Sequence, residues 1–250
     1  MKPKTPESPS RRRKPTDAVG SAEGITLTPS VALPPEWELP DKDSPRGRIH
    51  SAARLLFAEK GLDVTSIRDI TEAAHVNSAM VHYYYRSKEE LYRRVLGHEI
   101  LTVFRAIHEQ IAPDTSPGEL LVTLPTRVMR VVRANPVWAK LLSREISGGA
   151  VHLQRVVADL KDAGPLGVRT KAEALYKEAV RRGELRDLPV FYVIQFLLVL
   201  GYSGVFFNPF FRVIGGHDPD EERFFNERLR IFDTLIRHSL VPEKKPSPKL

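Results

Sequence analysis

The 250-residue chain contains no cysteine, which excludes disulfides, thiolate metal sites and cysteine redox chemistry and fits a reducing compartment. Enzyme signatures are missing as well: there is no P-loop, no glycine-rich dinucleotide turn, no His-Glu-x-x-His and no nucleophile elbow. "HDPDEE" at 217–222 reads as a capped helix start rather than a metal cluster. No catalytic residue, cofactor or metal site is therefore expected. The opening stretch, "MKPKTPESPSRRRKP", has no apolar segment of the signal-peptide kind, so the expectation is a cytoplasmic protein. Alternating strand patterns and internal repeats are also lacking.

What is present is a helical pattern with a positive balance. The formal charge is +7, which makes an anionic partner plausible without specifying a fold. Residues 1–44 are rich in proline and have no apolar period; their basic charge is concentrated in "RRRK" at 11–14. This is the composition of a disordered arm, and residues 242–250 read as a short disordered tail. The segment between them predicts an all-α protein.

A first helix is predicted from about Arg46 to Lys60, with Ile49, Ala52, Ala53, Leu56 and Phe57 on one stripe and Gly61 as its stop. Ser66 and Asp69 have capping-box spacing ahead of a short second helix carrying Ile67, Ile70 and Ala74. Asn77 is a good N-cap for a short third helix, and Ser87 with Glu90 opens a long fourth. Further on, Ser116-Pro117, Asn135-Pro136 and Asp218-Pro219 mark three helix starts. Gly148-Gly149, Gly164-Pro165 and Gly183 mark stops, giving five or six helices after residue 115.

The stretch "HVNSAMVHYYYRSKEEL", 75–91, holds three consecutive tyrosines. On a helical wheel Tyr85 falls with Val81 and Asn77 on the inner side, Ala79 and Tyr83 on the opposite side, and Met80, His82 and Tyr84 on the flanks. Two short helices joined by a tight turn and backed by a third form a helix-turn-helix, whose second helix enters the DNA major groove. Arg46 and Arg48, at the head of the first helix, are candidates for phosphate contact.

The segment from Arg46 to Leu96 resembles the N-terminal domain of the TetR family of transcriptional regulators, through "AARLLFAEKGLDVTSIRDITEAAHV" and "VHYYYRSKEELY". The resemblance implies a DNA-binding domain at 45–92 and a helical regulatory and dimerisation domain at 93–241. It places Thr65, Tyr83, Tyr84 and Lys88 among the phosphate-facing positions, and Asn77, Ser78, Ala79, Met80 and His82 at or beside the base edges, with Ser66 also in the DNA-binding set. His75 stands where the family usually has Gly, so a positive φ is expected there. Tyr85 stands where Phe is commoner, so its hydroxyl needs a partner.

"LPVFYVIQFLLVLGYSGVFFNPFF", 188–211, is uncharged over 24 residues and long enough to span a bilayer. Gln195, the tyrosines and Asn208-Pro209 favour instead a helix buried between its own core and a second subunit. The resemblance implies a homodimer through about 188–207 and 219–240, with Gly201 and Gly204 allowing close approach at that seam, and no membrane partner. Phe104, Trp138, Arg144, Tyr176, Tyr192 and Gln195 are candidate contacts for an unknown small-molecule effector. The expectation is thus a ligand-responsive regulator, more specifically a repressor, that binds palindromic double-stranded DNA. A ligand-independent architectural DNA-binding protein is the alternative.

Overall fold

The computed structural model describes residues 37–112, 114–162, 168–216 and 218–243, and among these it is entirely helical. The "RRRK" cluster, the Gly164-Pro165 stop and the last seven residues lie outside the described residues. Ten helices follow one another: α1 (Pro45–Lys60), α2 (Ile67–Ala74), α3 (Ala79–Tyr85), α4 (Lys88–His108), α5 (Pro117–Ala134), α6 (Pro136–Ser147), α7 (Val151–Asp162), α8 (Val168–Arg181), α9 (Val190–Ile214) and α10 (Glu222–Leu240).

Helix starts are set by short polar side chains that satisfy otherwise orphaned backbone N–H groups. Ser44 Oγ accepts from Gly47 N, Ser87 Oγ from Glu90 N and Ser116 Oγ from Glu119 N. At α2 the capping box is complete: Ser66 accepts from Asp69 N while the Asp69 carboxylate accepts from Ser66 N. Two starts differ from the sequence expectation. Asn77 does not cap α3 directly; its side chain accepts from Ala79 N at 2.9 Å, and the helix begins two residues on. Similarly α10 begins at Glu222, because Asp218–Glu221 form a turn in which Glu221 N donates to Asp218 O.

One apolar core joins α1–α4 to α5, α6 and α7. A second joins α5, α8, α9 and α10, with a small satellite of Met129, Phe225 and Leu229 beside it. The long α4 crosses residues 92 and 93 without interruption, so the N-terminal head and the body share one continuous helix. Charged and polar ties reinforce the junction. Arg54 of α1 pairs with the buried Glu99 of α4 at 2.5 Å. Tyr92 of α4 donates to the buried Glu145 of α6 at 2.9 Å, and Glu145 also accepts from Leu153 N.

Trp37 corrects the reading of residues 1–44 as wholly outside the fold. It is buried against Gly97, under the guanidinium of Arg94 at 4.7 Å and edge-on to His98. A Cβ at position 97 would lie 1.9 Å from the indole, so the glycine creates the seat.

The glycines of α9 also differ from expectation. Gly201 is buried within the subunit, where an added Cβ would meet Val128 of α5 at 3.0 Å and Pro125 at 3.5 Å. Gly204 faces Asn208 and Arg228 of its own chain. Gly201 therefore serves packing within the subunit, while a side chain at Gly204 would make only ordinary contacts. The outer side of α9 leaves Phe191, Tyr192, Val199, Phe207 and Phe210 exposed, and α10 leaves Ile231 and Leu235. By length and composition alone α9 could cross a membrane, yet Val193, Leu197 and Gly201 are packed into the helical body.

Candidate nucleic-acid interface and effector cleft

The turn between α2 and α3 is made by His75, which adopts the left-handed conformation at φ 52° and donates its backbone N–H to the end of α2. A side chain other than glycine is strained there. Arg48 helps to hold the turn, because its Nε donates to Ala74 O at 3.2 Å and its Nη1 to Asp43 O at 3.0 Å. Its donors thus tie α1 to α2.

Upon this frame α3 buries Val81 and Tyr85 and presents the other side outward. The Tyr85 hydroxyl donates to Arg46 O at 3.0 Å, which supplies the partner that a buried phenol needs. Burial pushes the Tyr85 phenol up, while the nearby Arg46 charge draws it back. Arg46 itself is half-buried, 6.0 Å from that ring's centroid.

Ser78, Ala79 and His82 are exposed, Met80 and Tyr84 are half-buried, and Tyr83 is 80% exposed. Asn77 is exposed too, rather than inward, since it precedes the first turn. The Tyr83 and Tyr84 rings meet edge to face at 4.9 Å, which limits their freedom before anything binds. His82 Nδ1 lies 3.1 Å from Arg86 O, a carbonyl to which it can only donate. Lys88 begins α4, and its ammonium donates to Leu62 O at 2.8 Å, beside the turn that leads into α2. A cation, phenols and a helix N-terminus therefore surround a small-residue face, the chemistry that phosphates and a groove require.

Thr65 does not join this surface. It has no exposure, and its hydroxyl donates to Gly61 O at 2.7 Å. Ser66 is exposed, but its hydroxyl is occupied as the cap of α2. Arg86, exposed with φ 65° just after α3, was not singled out from the sequence. Nothing in a string of residues marks a positive-φ arginine as the corner of a recognition helix.

The six effector candidates are not gathered in one pocket. Trp138 is core, and Phe104 packs partly buried against the same core. Tyr176 is buried, donating to Arg186 O at 2.7 Å and accepting from Leu188 N at 3.1 Å, so it fixes the loop before α9. Tyr192 is 67% exposed and Gln195 is exposed on the outer side of α9. Only Arg144 lines the main cleft, an opening of about 930 Å³ among α1, α5, α6, α9 and α10. Its apolar walls include Met129, Val132, Val205 and Phe225. Arg144 also donates to Ala58 O at 3.1 Å and Glu59 O at 2.5 Å, linking the cleft to the end of α1.

A capped helix-turn-helix with an open recognition helix, continuous with a helical body, defines a helix-turn-helix transcriptional regulator. The family model described as bacterial regulatory proteins, tetR family, matches residues 49–95. Residues 49–95 are thus a DNA-binding domain of the TetR type, and the chain as a whole is similar to TetR-family regulators. The HTH-type transcriptional regulator RutR of Escherichia coli (strain K12) is 26% identical over 195 residues, covering 78% of this chain and 89% of RutR. The HTH-type transcriptional repressor KstR2 of Mycolicibacterium smegmatis is 31% identical over 81 residues, 32% of this chain and 40% of that protein. Among solved structures, KstR2 of Mycobacterium tuberculosis superposes with a TM-score of 0.59 at 19% identity, covering 80% of this chain and 97% of that one. A tetR family regulator from Shewanella gives 0.60 at 17% identity, covering 80% of this chain and all of that one. At those identities the structures establish the shared fold.

Proposed function

We propose that the protein is an effector-responsive repressor that binds a palindromic or nearly palindromic DNA site as a homodimer. The observation that carries this reading is the outward face of α3, where Ala79 and Tyr83 stand clear of the core while Val81 and Tyr85 hold the helix down. Asn77, Ser78, Ala79, Met80 and His82 would meet base edges, and Tyr83, Tyr84, Lys88 and the exposed Arg86 would meet phosphates. Thr65 is left out of this set because its hydroxyl is buried and occupied. The repressor sense is supported by the name of KstR2, and the uncovered apolar residues of α9 and α10 support a symmetric partner rather than a membrane. The effector response is supported by the cleft whose wall reaches α1.

Selecting bound sequences from a random double-stranded DNA pool, at stated salt, tests the reading. A symmetric consensus with half-sites about one helical turn apart, roughly 34–36 Å, is expected. An asymmetric consensus, or none, would count against the dimeric reading.

A further inference from the structure

The main cleft is unbalanced in charge. Arg133, Lys140, Arg144, Arg212 and Arg228 line it, against Glu59 and Asp220 alone. Asp220 is already shared: its Oδ2 accepts from Arg212 at 2.6 Å and its Oδ1 from Asn208 at 2.5 Å. Arg228 therefore stands 4.0 Å from that carboxylate, with its side chain only 17% exposed. Its Nη1 donates to Asn208 Oδ1 at 2.6 Å, but its Nε is buried with no acceptor among the described residues.

Arg133 and Arg228 lie near the same aromatic ring, with guanidinium carbons 4.2 and 5.4 Å from the centroid of Phe225. Burial holds Arg228 below the usual guanidinium range; the Asp220 charge opposes this, and the like charge of Arg133 adds to it. Arg228 is thus a largely buried cation only partly compensated, by Asn208 and the distant Asp220 carboxylate, with one donor unmet. Arg133 donates one Nη2 hydrogen bond to Asp220 O at 2.9 Å and keeps its other donors for a ligand. A carboxylate or phosphate placed there would accept charge-assisted hydrogen bonds from both guanidinium groups. Beside the pair, Met129, Val132, Val205 and Phe225 offer an apolar wall.

We propose that the effector is an organic anion with an apolar body, its head held by Arg133 and Arg228 and its body lying along Met129, Val132 and Val205. The inference rests on the effector-responsive reading above and adds the ligand's chemical class and its seat. Because Arg144 closes the cleft while holding the carbonyls of Ala58 and Glu59, an occupant bears on the wall that supports α1. A preference of the ligand for one arrangement of that wall is what couples it to DNA affinity.

The test uses the full chain with decanoate, decyl phosphate and the neutral decanol as probes. Binding is measured by isothermal titration, and release of the selected DNA by fluorescence anisotropy. One of the two anions is expected to bind at least tenfold more tightly than decanol and to weaken the DNA complex; which anion does so identifies the head group. Arg133→Gln and Arg228→Gln should each lower anion affinity far more than decanol affinity, so that most of the preference is lost, and Arg228→Lys should keep part of it. Arg133 is exposed on α5, so its variant decides the matter should Arg228→Gln fail to fold.

Equal binding of anions and decanol would overturn the proposal, as would anion binding that leaves DNA affinity unchanged. Loss of decanol binding together with anion binding in the Arg133 variant would do so too. If the chain selects a symmetric DNA site yet shows no preference for anions, the repressor reading stands and this inference fails. If no DNA is selected while the anion preference persists, the fault lies with the DNA reading.

Discussion

Tyr85 has its hydroxyl committed to Arg46 O, so the phenol joins α3 to the head of α1. Tyr85→Phe should lower stability by about 1 kcal/mol, the net worth of a hydrogen bond whose acceptor loses its partner, as read from the urea midpoint. His75 sits at φ 52°, where L side chains are strained. His75→Gly should raise the same midpoint by up to ~1 kcal/mol, the relief being partly offset by the greater freedom of glycine in the unfolded chain. Lys88→Ala should weaken binding to every DNA sequence alike and reduce the salt slope by about one, whereas changes at Asn77 or Ala79 should alter which sequence is preferred. The direction of each tyrosine was legible from the sequence, because period alone separates Tyr83 from Tyr85. The fate of Thr65 was not: whether a hydroxyl turns to solvent or to a carbonyl four residues back depends on the conformation of the turn.

At the scale of elements, local capping chemistry was readable wherever the cap and its partner are three residues apart, as at Ser66, Ser87 and Ser116. Contacts made across the fold were not. Trp37 is a lone aromatic in a proline-rich stretch with no period to reveal it, and its seat is made by Gly97 sixty residues later. Gly97→Ala should expel the indole, seen as a red shift in Trp37 emission in a Trp138→Phe background. For α9 the sequence showed glycines but could not show which neighbour they approach. Gly201→Leu should cost about 1–3 kcal/mol by overpacking Val128 and Pro125, measured by thermal unfolding. Effector residues were the least legible, since aromatic residues on helices serve cores and pockets alike; only Arg144 reached the cleft, and its neighbours come from five helices.

For the molecule as a whole, acid should be destabilising through the junction between head and body. His98 Nδ1 and His50 Nε2 lie 2.7 Å apart in the interior. Burial, helped by the charges of Arg46 and Arg54 and by His98, lowers His50 from 6.5 to about 3. Burial with Arg46 and Arg94 lowers His98 from 6.5 to about 4. The unfolded chain therefore takes up protons that the folded chain refuses once the pH falls below 6.5, and stability is lost progressively from there toward about 3. The urea midpoint should drop across that window, and less steeply in a His50→Gln, His98→Gln variant. On the outer face, Val199→Glu or Leu235→Glu should yield monomers by light scattering if α9 and α10 form the twofold seam, and DNA affinity should fall with them.

The uninterrupted α4 has a mechanical consequence. Its 21 residues span about 31 Å at 1.5 Å per residue, from Lys88 just after α3 to His108 in the body. Were it to pivot at its far end by about 10°, its tip would swing by roughly 5 Å. Two such helices turning oppositely in a symmetric pair would alter the gap between their tips by up to twice that, enough to miss consecutive turns of the groove. A modest strain at the hub could thus disengage both hands at once.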